Sequence, residues 1–277
     1  MKIRVLSDLH LESEAFDYRD RGEDVVVLAG DIAEWIPMAM HHREALFHAM
    51  RRKRVLYVLG NHEFHHRTES MDDIVASIRA GLPAHVTLLH REAVEIGGIR
   101  FLGTPLWTDF RLGDEVQRHG HSLGRERAMH AAALSIPDFV YMADARGEWI
   151  GPEGMAALHE MDRTWLHNQI GIAGRDGVPV VVITHWLPSP ESVAPQHQGS
   201  ILTPYFASDC RDLMRPPVRL WCHGHTHVPR GYRHPGTETW IACNPRGTGP
   251  LSAQMERGFD PGLVVEVSVK PGKWVRA

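Results

Sequence analysis

Five short polar segments hold the residues of this sequence whose types and spacing could do chemistry. Carboxylates, imidazoles and one carboxamide recur in them, and the spacing of Asp8 and His10 is repeated by His225 and His227. Side chains two residues apart in extended backbone project to the same side, so each pair could grip a metal ion. Oxygen and imidazole ligands in this mixture suit Mn²⁺, Fe or Zn²⁺. The segments are Ser7 to His10, Gly30-Asp31, Leu59 to Phe64, Thr184-His185 and Gly224 to His227.

Apolar runs precede these segments and predict the strands that position them. In open α/β sheets, ligands collect beyond the carboxyl ends of the strands. Runs without alternation are typical of strands buried on both faces. We therefore expect the polar segments to converge in one crevice. The predicted strands are Lys2 to Leu6, Asp24 to Ala29, Arg54 to Leu59, Val178 to Thr184 and Val218 to His223.

The stretches between the strands favour helices and a mainly parallel sheet with crossover connections. Glu34 to Arg52 has helical spacing of apolar residues, and Ala207 to Met214 predicts a short helix. Between residues 103 and 174 the pattern changes from strand-like apolar runs to a helical or irregular stretch, in which Met155 to Ile170 is the clearest predicted helix. We expect a single domain over residues 1–277, in which 103–174 is a lid-like insertion or, alternatively, an ordinary covering layer of helices.

The composition is that of an ordinary globular protein, with 43% hydrophobic residues, 23% charged residues and a net charge of -4. This balance provides no global field to recruit nucleic acid or an anionic membrane. No apolar run approaches the roughly 18 residues of a membrane span, and the start is too short for a signal peptide. We expect a cytoplasmic protein. Its three cysteines lack metal or disulfide spacing, whereas its 20 histidines favour metal binding.

Taken in order, the five segments resemble the signature blocks of the calcineurin-like metallophosphoesterases. They span residues 7 to 227, most of the chain. The resemblance implies a four-layer αββα fold, with two mixed β-sheets flanked by helices, and a dinuclear metal centre. By this resemblance one ion would be held by Asp8, His10 and His227 and the other by Asn61, His185 and His225, with Asp31 bridging both ions.

Charge balance explains why such a centre suits phosphate. Two divalent ions bring four positive charges, of which Asp8 and Asp31 cancel two. The excess binds a phosphoryl group and lowers the pKa of a metal-bridging water. The resemblance therefore implies a hydroxide that attacks phosphorus in line, and Mn²⁺ is our expected metal.

His62 corresponds to the family histidine that lies beside the substrate as general acid or transition-state stabiliser. A nearby carboxylate would favour its imidazolium form, and Glu34 is our candidate for that carboxylate. Related phosphoprotein phosphatases have the pattern Gly-Asp-x-x-Asp-Arg at Gly30-Asp31. Here the acid is Glu34, and Trp35 replaces the phosphate-gripping arginine. This departure disfavours the protein phosphatase branch.

Other residues are candidates for substrate contacts. Asn61 and His62 are expected nearest the phosphoryl group, and Arg246, in a loop after a strand, could hold a phosphate oxygen. His65 and His66 flank the mouth of the site and could touch substrate, although ordinary surface histidines are the simpler interpretation.

Aromatic residues and one further histidine have two interpretations each. Trp107, Phe110, Tyr141 and Trp186 could stack on a base or aryl leaving group, but core packing is the simpler interpretation. His223 alternates with the pair that follows it, yet it lies inside the strand and is expected to pack rather than bind.

The sequence thus predicts a dinuclear metal-dependent hydrolase of phosphoric esters, acting as a phosphodiesterase or phosphomonoesterase on small molecules such as nucleotides. A nuclease is an alternative, disfavoured because the sequence has no basic stripe or appended nucleic-acid domain. A phosphoprotein phosphatase of the same superfamily is another. A metal-binding scaffold without turnover is the alternative from a different class.

Overall fold

The computed structural model describes residues 1–65, 69–115, 117–118, 121–122, 124–144, 147–269 and 275–276. Its strands, numbered along the chain, are β1 (Lys2–Leu6), β2 (Val25–Ala29), β3 (Arg54–Val58), β4 (Val86–Leu88), β5 (Glu92–Ile96), β6 (Ile99–Gly103), β7 (Gln117–Arg118), β8 (His121–Ser122), β9 (Val180–Ile183), β10 (Val218–His223), β11 (Arg230–Arg233), β12 (Trp240–Cys243), β13 (Val264–Glu266) and β14 (Val275–Arg276). Its helices are α1 (Pro37–Ala49), α2 (Met71–Ala80), α3 (Leu112–Glu115), α4 (Arg125–Ser135), α5 (Asp138–Tyr141), α6 (Pro152–Asp176), α7 (Thr203–Phe206) and α8 (Leu251–Glu256).

Two mixed sheets of six strands form the centre of the fold. The first has the order β14-β13-β1-β2-β3-β4, and the second has the order β11-β12-β10-β9-β6-β5. Strands β1 to β4 are parallel in the first sheet, and β12, β10, β9 and β6 are parallel in the second. The edges carry antiparallel strands, which makes both sheets mixed. The chain therefore divides the expected parallel strands between two sheets.

The inner faces of the two sheets pack against each other. Successive residues of a strand point to opposite faces. Val25 and Val27 accordingly join a buried cluster with Phe101 of the facing sheet. Val26 and Leu28 point outward, into a cluster that includes the buried sides of α1, α2 and α6. This arrangement confirms the helix-sheet-sheet-helix fold that the resemblance implies.

Two helix predictions differ from the structure. The helix predicted from Glu34 begins only at Pro37, because proline suits the first helical turn, where its missing N–H costs no hydrogen bond. Glu34 is thereby left outside the helix, facing the site. The helix predicted from Ala207 to Met214 is reduced to one 3₁₀ turn, Arg211–Leu213, since Ala207 is extended and bridges Leu187.

The region between residues 103 and 174 contains α3, α4, α5 and most of α6. The helix predicted from Met155 to Ile170 extends in the structure over 25 residues of α6, from Pro152 to Asp176. No helix in the described ranges is both long and apolar enough to cross a bilayer. The cysteines are buried and free, at Cys210, Cys222 and Cys243.

Candidate metal centre and cleft

The five polar segments meet at one place, beyond the carboxyl ends of β1, β2, β3, β9 and β10. Asp31 is the side chain that connects them. Two groups of possible metal ligands, in each of which the ligand atoms lie within 4.8 Å of one another, share this carboxylate. One group contains Asp8, His10, Asp31 and His227, and the other contains Asp31, His185 and His225. The structure thus brings the predicted carboxylate and histidine ligands together.

Backbone strain is concentrated at these residues. Nine non-glycine residues of the described chain have positive φ, and five of them are predicted ligands. The left-handed region costs an L-residue about 1 kcal/mol or more. Tight left-handed turns right after the strands, rather than the extended backbone expected for the two pairs, orient these side chains, and His225 and His227 belong to different ligand groups. The five residues are Asp8, His10, Asp31, His225 and His227.

Two buried ligand atoms lack a hydrogen-bond partner, namely Oδ1 of Asn61 and Nε2 of His225. Nε2 of His185 lies 3.2 Å from Oδ2 of Asp31, a carboxylate of the same ligand group. Leaving a buried polar atom unpaired is unfavourable by about 1 to 3 kcal/mol. A cation among these lone pairs would satisfy them, so this donor set fits a metal ion.

In two of the predicted histidine ligands, the Nδ1 ring nitrogen already has a hydrogen-bond partner. Nδ1 of His10 lies 2.6 Å from Oε1 of Glu12, and Nδ1 of His185 lies 2.8 Å from the carbonyl oxygen of Ala29. Such partners take the proton on Nδ1 and leave the Nε2 lone pair for a metal. Nε2 of His10 in turn lies 2.9 Å from Nε2 of His227, a spacing typical of two ligands of one ion.

Close packing at the predicted ligands requires glycine at positions 60 and 224, as it does at Gly30, where an added Cβ would lie 2.3 Å from Nδ1 of His185. A Cβ added to Gly60 would lie 2.1 Å from Oδ1 of Asp31, and one added to Gly224 would lie 2.3 Å from Oδ2 of Asp8. Both distances are far below van der Waals contact. The glycines of the Gly-Asn-His and Gly-His-x-His segments therefore make room for the carboxylates.

Glu63 holds two ligand loops together, a role that sequence reasoning missed. Its carboxylate accepts backbone N–H bonds from Ile32 and Gly60, both at 2.6 Å, and a bond from the Tyr57 hydroxyl at 2.7 Å. Burial, followed by the nearby Asp31 charge, raises the pKa of Glu63. The sequence feature that could have indicated this role is the place of Glu63 in the Gly-Asn-His-Glu block, although a glutamate after a turn usually faces solvent.

The sequence pattern of the calcineurin-like phosphoesterase family matches residues 1–229. The chain belongs to this family. It is accordingly a metal-dependent phosphoester hydrolase, and dimetal phosphatases share its fold. Family membership implies two divalent metal ions, and the two ligand groups around Asp31 fit such a pair.

Three relatives illustrate the range of the similarity. An uncharacterized protein of Acanthamoeba polyphaga mimivirus is 20% identical over 290 residues, which cover 96% of each chain. Phosphopantetheinyl hydrolase from Mycobacterium tuberculosis superposes with a TM-score of 0.65 at 16% identity, over 93% of this chain and 92% of that one. A dimetal phosphatase from Danio rerio has a TM-score of 0.54 at 15% identity, over 91% and 89% of the two chains. The two structural similarities show a shared fold.

In this phosphoesterase His62 and Glu34 form a pair beside the predicted metal ligands. Nδ1 of His62 lies 2.7 Å from Oε1 of Glu34, and its Nε2 lies 4.0 Å from Oδ2 of Asp31. Burial disfavours the imidazolium, but the Asp31 charge and the Glu34 hydrogen bond outweigh it and raise the pKa of His62 to about 10. The metal-free chain therefore holds His62 protonated near neutral pH.

A cleft of about 600 Å³ opens above the predicted metal ligands of the phosphoesterase. Asp31, Asn61 and His62 form part of its lining. The described residues that line it include no lysine or arginine. The α5 region and the segment that follows His185 supply much of the wall, through Ile136, Pro137, Tyr141, Leu202, Thr203 and Phe206.

Only some of the other residues predicted as possible substrate contacts lie at the cleft. His65 lines the cleft and is 5% exposed, while His66 lies outside the described residues. Trp107, Phe110 and Trp186 are buried, which agrees with core packing. Of these four candidate aromatics, Tyr141 is the one that lines the cleft, at 41% exposure.

His223 and Arg246 lie away from the cleft lining. His223 is buried, and its Nε2 is 2.9 Å from Oγ of Ser192, so it packs as expected. Arg246 is 1% exposed and donates from Nη1 to the carbonyl oxygens of Leu9 at 2.9 Å and Glu14 at 2.7 Å. This placement does not fit the expectation that Arg246 holds a phosphate oxygen. Its guanidinium instead supports the backbone of the first ligand segment.

Proposed function

We propose that this phosphoesterase hydrolyses phosphoric esters of small molecules, nucleotides among them, with Mn²⁺ as its metal. The observation that carries the proposal is the position of the ligand groups at the base of a cleft of about 600 Å³. A cleft of this size can enclose one drug-sized molecule. A phosphoryl group entering it would approach the ligand groups with His62 at its side.

Each ligand group has a place in the proposed mechanism. Two divalent ions, when bound, would supply a nucleophilic water and neutralise phosphoryl charge for in-line displacement. Asp31 belongs to both ligand groups and would be shared between the ions. The assignment by ion is Asp8, His10 and His227 for one and Asn61, His185 and His225 for the other.

His62 is the proposed general acid. Its Nδ1–H donates to Glu34, which leaves the Nε2–H of the imidazolium available to the oxygen of the leaving group. Because expulsion of an alkoxide is difficult, proton donation at this oxygen contributes typically 10² to 10⁴ in rate. Glu34 would keep His62 charged and correctly oriented.

The alternatives from the same superfamily have less support. Nucleic acids and phosphoproteins present several anionic groups, and their partners meet them with arginine and lysine. The described lining of this cleft has neither residue. Trp35, at the position of the phosphatase arginine, is partly exposed and lies under the guanidinium of Arg43 at 5.6 Å. These observations favour an ester with one phosphoryl group and an uncharged organic part.

Hydrolysis assays with Mn²⁺ test the proposal. Wild type should release p-nitrophenol from bis-p-nitrophenyl phosphate or from the monoester, and Asn61→Ala should lose this activity. Single-stranded DNA and a phosphopeptide should be poor substrates. A phosphopantetheinyl ester belongs in the panel because a protein of this fold is named for its hydrolysis. If neither wild type nor Asn61→Ala hydrolyses any of these esters while wild type binds Mn²⁺, the alternative of a metal-binding scaffold without turnover is favoured.

A further inference from the structure

Asp138 lies beneath the predicted metal ligand Asn61, although 77 residues separate them in sequence. It opens α5 and is 2% exposed. Its Oδ1 accepts a hydrogen bond from Nδ2 of Asn61 at 3.1 Å and lies 2.9 Å from Nε2 of His65. Its Oδ2 accepts a hydrogen bond from the hydroxyl of Tyr205. Three polar side chains that line the cleft thus meet at one buried carboxylate.

We propose that Asp138 is a positioning residue that fixes the carboxamide of Asn61 with its oxygen toward the metal centre. The proposal deepens the proposed function, because it rests on Asn61 being a metal ligand. It also gives the α5 region a role at the metal centre besides forming the wall of the cleft.

The two ends of a carboxamide differ in their hydrogen bonding. The oxygen and the NH₂ group are similar in size, so packing alone does not select which end faces the ions. An ionised carboxylate can only accept hydrogen bonds, and therefore it selects the NH₂ end. The remaining atom, Oδ1 of Asn61, is buried without a hydrogen-bond partner. Turning the carboxamide over would place that oxygen against the Asp138 carboxylate and remove it from the metal centre.

Asp138→Asn is the first test. The carboxamide that replaces the carboxylate is nearly the same size, but it is uncharged and can donate as well as accept, so it selects the NH₂ end of Asn61 less strongly. Loss of a partner behind a metal ligand typically weakens metal affinity about 10- to 100-fold. Titration of the metal-free chain with Mn²⁺ in a calorimeter should show one ion bound at least about 10-fold more weakly, with the other close to wild type.

Asp162→Asn provides a matched control. Asp162 is also fully buried, but its carboxylate accepts bonds from Arg91 and from the backbone N–H of Leu106, neither of which is a predicted ligand. This variant should lose thermal stability while it binds both ions with wild-type affinity. Equal weakening of both ions in Asp138→Asn, or wild-type affinity for both, would overturn the proposal.

A reciprocal exchange distinguishes positioning from general structural support. In the double variant Asn61→Asp/Asp138→Asn, the carboxylate sits at position 61, where it accepts from the new carboxamide and still presents an oxygen to the ion. The exchange should restore two-ion binding to within about 3-fold of wild type, since the carboxylate at position 61 accepts where the Asn61 carboxamide donated. A neutral His65 can accept from the same NH₂ group through Nε2, with its Nδ1–H toward Glu34. A double variant that binds no better than Asp138→Asn, or that binds one ion only, contradicts the proposal even if the single variant folds poorly.

The two proposals fail in different assays. Mn²⁺ binding that responds to position 138 as described supports the positioning role even if no phosphoric ester is hydrolysed. Conversely, if wild type hydrolyses esters but Asp138→Asn binds Mn²⁺ with wild-type affinity, the proposed function is supported and the positioning role is rejected.

Discussion

Glu34 and His62 form a hydrogen bond of 2.7 Å between Oε1 and Nδ1, across 28 residues of sequence. We predict that Glu34→Gln lowers kcat by about 10-fold or more while Mn²⁺ affinity stays near wild type. The glutamine keeps the size of the side chain but removes the charge that helps to raise the pKa of His62. His62 should then lose its proton at lower pH, so the alkaline limb of the kcat profile should move to lower pH.

Steady-state kinetics across pH, together with calorimetric Mn²⁺ titration, checks this prediction. Glu14→Gln serves as a control, because Glu14 is a half-exposed glutamate that bonds to Arg246 rather than His62. Unchanged kcat and an unmoved alkaline limb in Glu34→Gln would remove Glu34 from the mechanism.

Metal removal should destabilise the folded chain. Strained ligand backbone and unpaired buried ligand atoms remain without compensation when no cation is present. A ligand at about 100 times its Kd stabilises the native state by about 2.7 kcal/mol, which raises Tm by about 5 to 10 °C in a chain of this size. Thermal melts with and without Mn²⁺ after chelation measure the shift. Asn61→Ala should show a smaller shift, and an equal shift would contradict its place as a ligand.

Gly60→Ala should abolish tight Mn²⁺ binding and reduce the free energy of unfolding by about 2 kcal/mol or more. The new Cβ would lie 2.1 Å from Oδ1 of Asp31 and 2.7 Å from Nε2 of His185, so the ligands must move. Gly171→Ala is the control, because its Cβ would meet only Nη1 of Arg175 at 3.8 Å inside α6. The control should raise stability by up to about 1 kcal/mol and leave Mn²⁺ binding unchanged. Urea unfolding of the metal-free chains, followed by Mn²⁺ titration, compares the two.

His90 should make the fold sensitive to mild acid independently of the metal centre. Burial, followed by the positive charges of Arg91 and Arg79, lowers the pKa of His90 to about 4. In the unfolded chain the pKa is about 6.5, so below that pH the unfolded state binds one more proton. Stability is therefore lost as pH falls from about 6.5 to about 4.

His90→Gln removes this titration and should flatten that part of the pH profile by about 1 to 2 kcal/mol. Urea unfolding with chelator present, at about pH 7 and about pH 4.5, measures the difference. Other titrating groups contribute equally to both chains. Parallel profiles for wild type and His90→Gln would show that His90 does not titrate differently in the folded and unfolded states.

The sequence by itself determined which residues are predicted as metal ligands, through the family resemblance, and their order along the chain. Strand ends are local features, since a run such as Val25 to Ala29 predicts a buried strand whatever its neighbours, and the residue after it must lie at the sheet edge. The same reasoning predicted Asp8, Asp31 and His185 at one crevice. The pairing of the His62 imidazolium with the Glu34 carboxylate was also predictable, because both residues follow strands whose carboxyl ends lie at this crevice.

Only the tertiary structure decided which side chains surround those ligands. Arg246 follows a strand, as a phosphate-binding residue often does, yet its guanidinium is buried against the backbone of Leu9 and Glu14. Asp138 carries no local signal, and its contact with Asn61 depends on where α5 packs against the sheets. Partners of this kind depend on how two sheets and their covering helices are packed. Distances between residues remote in sequence are not encoded in any local pattern of residues.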